Sequence, residues 1–400
     1  MPLRRLAEWV VSRASRDTTS GLFLAEIDGL RFIAIMSVVL FHIAGYLEHM
    51  TGKHTPPEGM VKLLYQGAFG VQLFFVISGA VIALPFAKAH LDGNRPPRLR
   101  QYFTRRLTRL EPPYLINMVL VYLLLRLFGH HATNLSPHLL ASAAYLHNVL
   151  YGTMSTINSV AWSLEIELQF YLLAPLFCRV FTLGSKVWRR ALLVALIATF
   201  SALNQLMTNS PRYELALPGH IQFFFTGFLL IDVYLSDWKQ QPRPTAAWDL
   251  VSLLCWPLML ALLVQGGAAR AFAVIPLFLA YCAAFKGTWS NRFFCTPAIY
   301  TIGGMCYTIY LYHCQIITGF GRVLLDHDAV RNAPFGVVML AASGLLLPLV
   351  LFFSTLLFIW IEKPCMRKNW HKDLLEQVRV AIPYKEREAV AQQPEDAGGK

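Results

Sequence analysis

The stretch LRFIAIMSVVLFHIAGYL, residues 30–47, decides the fold. Apart from Arg31 and His42 it is made of apolar and small residues, and it is apolar on every face. A helix crossing the hydrocarbon of a bilayer needs about 20 such residues. A helix on the surface of a soluble domain would instead carry a polar face. This run reads as a membrane span.

Similar runs recur along the chain, at 69–87, 112–129, 162–182, 189–207, 219–236, 249–266, 269–286, 299–322 and 335–361. Together they predict an all-α, polytopic integral membrane protein with about ten transmembrane helices. Gln265-Gly266-Gly267 is a plausible tight turn and divides the 249–286 stretch into two helices. The weakly apolar 138–151 stretch suits an interfacial helix on a loop. Composition agrees: 56% of the 400 residues are hydrophobic and 14% charged, where soluble domains carry about 25% charged residues.

The net charge of +12 would in a soluble protein suggest nucleic acid. Here the basic residues sit in short loops between apolar runs, and no nucleic-acid-binding spacing occurs. Positive loops report orientation instead. With a cytoplasmic N-terminus, Arg4, Arg5, Arg13, Arg16, the basic run from Lys88 to Arg109, the run from Arg179 to Arg190, Lys239, Arg243, Lys286, Arg292 and the basic tail all share the cytoplasmic side. The opposite side keeps Lys53, Lys62, Arg212, Arg270, Arg322 and Arg331. The bias holds loop by loop, so both termini are expected in the cytoplasm. No cleavable signal sequence is evident before residue 26. The expected organisation is a cytoplasmic segment 1–25, a membrane domain 26–364 and a cytoplasmic, disordered tail 365–400.

Seven cysteines are scattered, without CxxC spacing. They read as small buried hydrophobes, and neither a metal site nor a disulfide framework is expected. No internal repeat of the kind many transporters carry is visible.

Ionisable residues inside a span are costly and mark function by default. Eleven residues at about 100° each put Arg31 and His42 within about 20° of one helix face, roughly 16 Å apart along its axis. Arg31 is either a snorkelling interfacial arginine or a ligand-facing one. His42 is either a satisfied core histidine or a group that moves a proton near neutral pH. Arg105, Arg106 and Arg109 lie at the cytoplasmic mouth of the third run. Arg106 and Arg109 share a face, and two guanidinium forks there serve either as anchors or as a phosphate clamp. Glu165 and Glu167 open the fourth run from the far side. A helix dipole accounts for one carboxylate at the mouth better than for the deeper Glu167. Tyr307 to His313 lie in the ninth run, with His313 at a depth it could share with His42. Gln72 and Ser78 are polar positions in the second run. His130, His131, His138 and His147 lack metal-ligand spacing and read as solvated.

These segments, in this order, resemble the acyltransferase family 3 membrane proteins. The resemblance rests on Glu26-Ile27-Asp28-Gly29-Leu30-Arg31 with His42, on Gly70 to Gly79, and on Arg106-Leu107-Thr108-Arg109 followed by Pro112. It continues through Trp162-Ser163-Leu164 with Glu167 and Phe170-Tyr171, Tyr307 to His313, and Ile361-Glu362-Lys363-Pro364. Gln72 stands where the family often has Asp. The resemblance implies a membrane O-acyltransferase, by default an O-acetyltransferase, that uses acyl-CoA (acetyl-CoA by default) from the cytoplasm. Its acceptor would be a hydroxyl of a carbohydrate or lipid-linked glycan, at a bacterial inner membrane. It implies His42, Glu167 and Arg31 as the catalytic set, with His42 either deprotonating the acceptor or receiving the acyl group. Arg105, Arg106 and Arg109 would hold the donor's phosphates, and Ser78, Trp162, Tyr307 and His313 would support. The competing reading is a proton-coupled transporter with Arg31, His42 and Glu167 as its relay.

Overall fold

The structure, a computed structural model, describes residues 13–14, 16, 23–51, 58–93, 95, 97–128, 134–207, 210–325 and 333–366. The expected cytoplasmic segment and the expected tail lie largely outside the described residues. So do His130 and His131. Among the described residues the regular structure is entirely helical.

The main helices are α1 Ala25–Thr51, α2 Gly70–Leu91, α3 Leu99–Phe128, α4 Leu135–Ala143, α5 His147–Tyr151, α6 Trp162–Phe177, α7 Lys186–Leu206 and α8 Ile221–Ser236. They continue with α9 Ala246–Gln265, α10 Val274–Lys286, α11 Thr288–Phe294, α12 Pro297–Gly304, α13 Cys306–Leu325 and α14 Phe335–Leu357. Among the described residues, seven helical stretches are long and apolar enough to cross a membrane: Ala25–Met50, Lys62–Leu91, Leu99–Phe128, Lys186–Leu206, Ala246–Gln265, Ala269–Lys286 and Phe335–Cys365. The chain is a multi-pass membrane protein.

The other three apolar runs are helical but shorter or interrupted. α6 and α8 have 16 residues each. The 299–322 run breaks at Met305, between α12 and α13. That break follows Gly303, whose Cα lies against the backbone of Asp28 in α1 with no room for a side chain. The 249–286 stretch divides at Gly266 and Gly267, which both take positive φ, a conformation glycine adopts freely. The weakly apolar 138–151 stretch forms the short pair α4 and α5.

α3 starts earlier than the apolar pattern suggests. It runs unbroken from Leu99 through Arg105–Arg109 and across Pro112 and Pro113. A proline pair reads as a helix start in water. Inside a membrane bundle such prolines are tolerated because neighbours satisfy the freed backbone groups. The arginines therefore sit on a continuous rod rather than in a flexible loop.

Close packing fixes the rods. Gly79 of α2 abuts the backbone of Phe224 in α8, and Gly227 of α8 abuts the backbone of Val76 and Ala80 in α2. Small residues let membrane helices approach this way, since lipid offers no hydrophobic drive. Phe224 stacks on Phe170 of α6 at 3.9 Å and on Phe75 at 4.8 Å between centroids, which ties α6 to the same core. Gly227→Leu is expected to cost about 1–3 kcal/mol by overpacking this contact. Thermal unfolding in detergent should show a lower midpoint for that variant. Gly184→Ala, at a site with nothing within 4 Å, should melt with the parent; equal midpoints for both variants would refute the packing role.

Candidate active site

A cavity of about 480 Å³ opens among α1, α2, α3, α6 and α13. Six cationic side chains line it: Arg16, Arg31, Lys88, Arg105, Arg106 and Arg109. Buried carboxylates and aromatic rings place four of them.

Arg31 stands one helical turn after Asp28 and donates from Nη1 to Oδ1 of that carboxylate. Asp28 is 1% exposed and also faces Arg16 at 3.5 Å. A carboxylate in a first helical turn complements the helix dipole as well. Arg109 faces Glu362 at 3.9 Å. Glu362 is fully buried in a π-helical turn, Phe358–Glu362, that ends α14. It accepts hydrogen bonds from the Thr308 N–H at 3.2 Å and from the Thr308 hydroxyl at 2.5 Å. Such single π turns recur at functional sites. Arg106 lies flat over the rings of Tyr171, 4.5 Å from the centroid, and Tyr102, 5.3 Å away. Cation–π contacts of this kind hold the charge without neutralising it.

The cations are under-compensated. Arg16 Nε, Arg109 Nε and Glu362 Oε1 are buried and make no hydrogen bond. Burial, then the neighbouring charge of Arg31, push the Arg16 guanidinium down to about 9. Buried polar groups without partners are uncommon enough to require an explanation, and an absent ligand is one.

Glu167 of α6 lines the same cavity. The Ser78 hydroxyl and the Tyr171 hydroxyl both donate to its Oε1, and its Oε2 takes no hydrogen bond among the described residues. Glu165, two residues earlier, points elsewhere. It is buried and accepts the N–H groups of His147 at 3.2 Å and Asn148 at 2.8 Å, capping the start of α5. The two glutamates thus divide into a structural one and a cavity-facing one.

His42 does not line the cavity. Its Nδ1 lies 2.9 Å from the Val38 carbonyl and 3.1 Å from Nε2 of His313. His313 is fully buried, with Nδ1 at 3.0 Å from the Ile309 carbonyl and 2.9 Å from that of Tyr310. Tyr310 joins the two regions. It lines the cavity, its ring centroid is 5.9 Å from that of His313, and Phe74 meets it edge-on at 6.2 Å. Cys314 Sγ lies 3.5 Å from His313 Nε2, so His42, His313 and Cys314 are spaced closely enough to hold a metal ion.

Of the expected site residues, the cavity gathers Arg31, Arg105, Arg106, Arg109, Ser78, Glu167 and Tyr307. The His42–His313 pair lies beyond its wall. Arg31 and His42 share a helix but not a partner. Trp162 is outside the cavity, with its ring 5.4 Å from that of His220. His147 corrects the expectation that it is solvated. It is fully buried, its Nε2 lies 2.9 Å from His138 Nδ1, and burial pushes its imidazole below the usual range. The reason is that α5 packs against α6, where Glu165 accepts its first N–H groups, while α4 packs against α3. Sequence reading missed Arg16, Lys88 and Tyr171 as cavity groups, and Asp28 and Glu362 as counter-charges. Asp28, Glu362 and Tyr171 carry a visible signal, since all three fall within the quoted motifs.

A family profile described as an acyltransferase domain matches residues 24–361. The chain belongs to this family. Among relatives, the peptidoglycan O-acetyltransferase OatA of Listeria monocytogenes is 26% identical over 381 residues, which cover 87% of this chain and 56% of that protein. The O-acetyltransferase OatA of Staphylococcus aureus strain NCTC 8325 is 22% identical over 323 residues, covering 74% and 51%. An inferred O-acetyltransferase of S. aureus strain COL is 22% identical over 397 residues, covering 90% and 61%. The chain thus spans only part of the length of these relatives. No solved structure matches it. In acyltransferase-domain terms the cavity is the feature to test first, and Arg16 gives a direct handle. Arg16→Gln should weaken pyrophosphate binding severalfold at about pH 7, because the anion loses a charged partner. Calorimetric titration of the parent and Arg16→Gln measures this. Equal affinities would exclude Arg16 from the anion site.

Proposed function

We propose that the chain is a membrane O-acetyltransferase that takes an acetyl group from acetyl-CoA on the cytoplasmic side and passes it to a glycan hydroxyl. The observation that carries this reading is the single cavity in which six cations and the Glu167–Ser78 pair meet. A coenzyme A thioester carries several phosphate charges at one end and its reactive carbonyl at the end of a long flexible arm. The cavity offers the matching order of chemistry: Arg105, Arg106 and Arg109 with Arg16 and Arg31 for phosphates, and carboxylate and hydroxyl groups for the reacting end. The ten-helix topology, the cytoplasmic position of both termini and residence in a bacterial inner membrane complete the reading. The positive loops support them. The OatA names of the relatives support a glycan acceptor.

Alcohols are weak nucleophiles at neutral pH and need a base. His42 is that base. The acceptor oxygen attacks the thioester carbonyl while His42 takes its proton. The C–S bond then breaks and the leaving thiolate takes the proton back. Glu167 orients the incoming hydroxyl. Because His42 stands behind Tyr310, the Phe74–Tyr310 contact opens when the thioester advances. The transporter reading has no such support, since Arg31 is matched by Asp28 rather than linked to His42.

Two measurements test this. Arg106→Ala with Arg109→Ala should weaken acetyl-CoA binding to protein in nanodiscs by about a hundredfold or more, each lost charge-assisted contact being worth about 1.5–3 kcal/mol. Unchanged binding would remove the donor site from this cavity. His42→Ala should bind labelled acetyl-CoA normally yet transfer no acetyl group. Parent-like transfer by that variant would end its assignment as base.

A further inference from the structure

The His42–His313 contact spans 271 residues of sequence and carries more than packing. Two backbone carbonyls, of Ile309 and Tyr310, face Nδ1 of His313. A carbonyl only accepts, so the proton of neutral His313 resides on Nδ1 and its Nε2 presents a bare lone pair. That lone pair has Nδ1 of His42 3.1 Å away and the weaker thiol donor of Cys314 at 3.5 Å. The other neighbour of His42 Nδ1 is the Val38 carbonyl at 2.9 Å, also an acceptor only. Both partners of His42 Nδ1 therefore require a hydrogen there. The neutral ring must be the Nδ1–H tautomer, with Nε2 unprotonated.

We propose that His313 is the positioning residue for His42: it accepts the Nδ1–H hydrogen bond and thereby keeps Nε2 of His42 as the basic nitrogen during acyl transfer. The inference rests on the reading of His42 as the base. Val38 and His313 do different work. Val38 lies one turn below on the same helix and turns with it, whereas His313 belongs to α13 and fixes the ring relative to the rest of the site. When Nε2 of His42 takes the alcohol proton, the ring becomes a cation with N–H on both nitrogens. The Nδ1–H bond to His313 then shortens, because a charged donor makes the stronger bond, and His313 remains neutral throughout. This is the arrangement in which a second group orients a catalytic imidazole and stabilises its protonated form. Here a neutral imidazole replaces the carboxylate, which suits a setting where an extra buried anion would be costly.

The test combines kinetics with spectroscopy. His313→Leu should lower kcat by about a hundredfold or more, given that disturbing the orienting partner of a catalytic imidazole costs up to about 10⁴-fold. The acetyl-CoA dissociation constant should stay within about twofold, as His313 does not line the donor cavity. His313→Gln, whose side-chain oxygen restores an acceptor, should recover at least about tenfold of the loss; a purely structural role predicts no such rescue. Solid-state NMR of protein labelled with ¹⁵N-histidine, in lipid, should show Nδ1 of His42 protonated, Nε2 bare, and a coupling across the hydrogen bond to His313 Nε2. Full activity in His313→Leu beside an inactive His42→Ala would overturn this inference and leave His42 as the base. Full activity in both would remove the base assignment as well. An Nε2–H tautomer in the parent, or a stoichiometric bound metal that Cys314→Ala releases, would also overturn it.

Discussion

Everything in this site depends on keeping arginines charged inside a low-dielectric bundle. Removing an ion from water costs several kcal/mol even after relaxation, and a partner must return most of that. Asp28 does so for Arg31 and Arg16, and Glu362 for Arg109. Both carboxylates are buried, so each is itself tolerable only beside its cations. The counter-charge is deliberately incomplete: two carboxylates face a larger set of guanidinium groups, and Glu167 is occupied by Ser78 and Tyr171. The remaining positive charge is what an anionic ligand would neutralise. Affinity and the stability of the empty protein are thus set against each other by the same residues.

The cavity exists because several helices are imperfect where they meet it. The α12–α13 break puts Gly304 and Cys306 on its wall, and the π turn after α14 puts Glu362 there. Irregular backbone is admissible at membrane depth where it is buried in protein or lines a polar cavity. The regular parts serve the opposite end. The tight α2–α8 contact and the stacked Phe75, Phe224 and Phe170 make a stiff wall that carries Ser78 and Glu167.

Much of this was legible in the residues. Runs of apolar sequence located the helices, because a bilayer imposes one length and one polarity on each. The arginine cluster and Glu167 were legible because charge stands out against such a background. Partnerships were not. Eleven residues on one helix suggested that Arg31 and His42 belong together, yet Arg31 turned to Asp28 three residues away and His42 to His313 on a distant helix. Helical geometry determines which residues share a face; it says nothing of what the opposite face of another helix brings. The sequence set the deeper Glu167 apart from Glu165 but named the partner of neither. Glu165 met two backbone N–H groups from α5, and Glu167 met a cavity. His147 was misread because the packing of α5 against α6 depends on Glu165 and Asn148, not on local polarity.

A cavity that enters a membrane from one side is half of a channel, and cells that store energy as ion gradients cannot tolerate the other half. Tyr310, with Phe74 edge-on against it, stands between the cavity and the fully buried His313. The guanidinium groups lining the cavity add an electrostatic safeguard, since fixed positive charge raises the energy of any cation entering it. Sodium and hydronium are repelled by the same field that would draw in a polyphosphate. The residues that would recognise a donor would therefore also oppose cation entry.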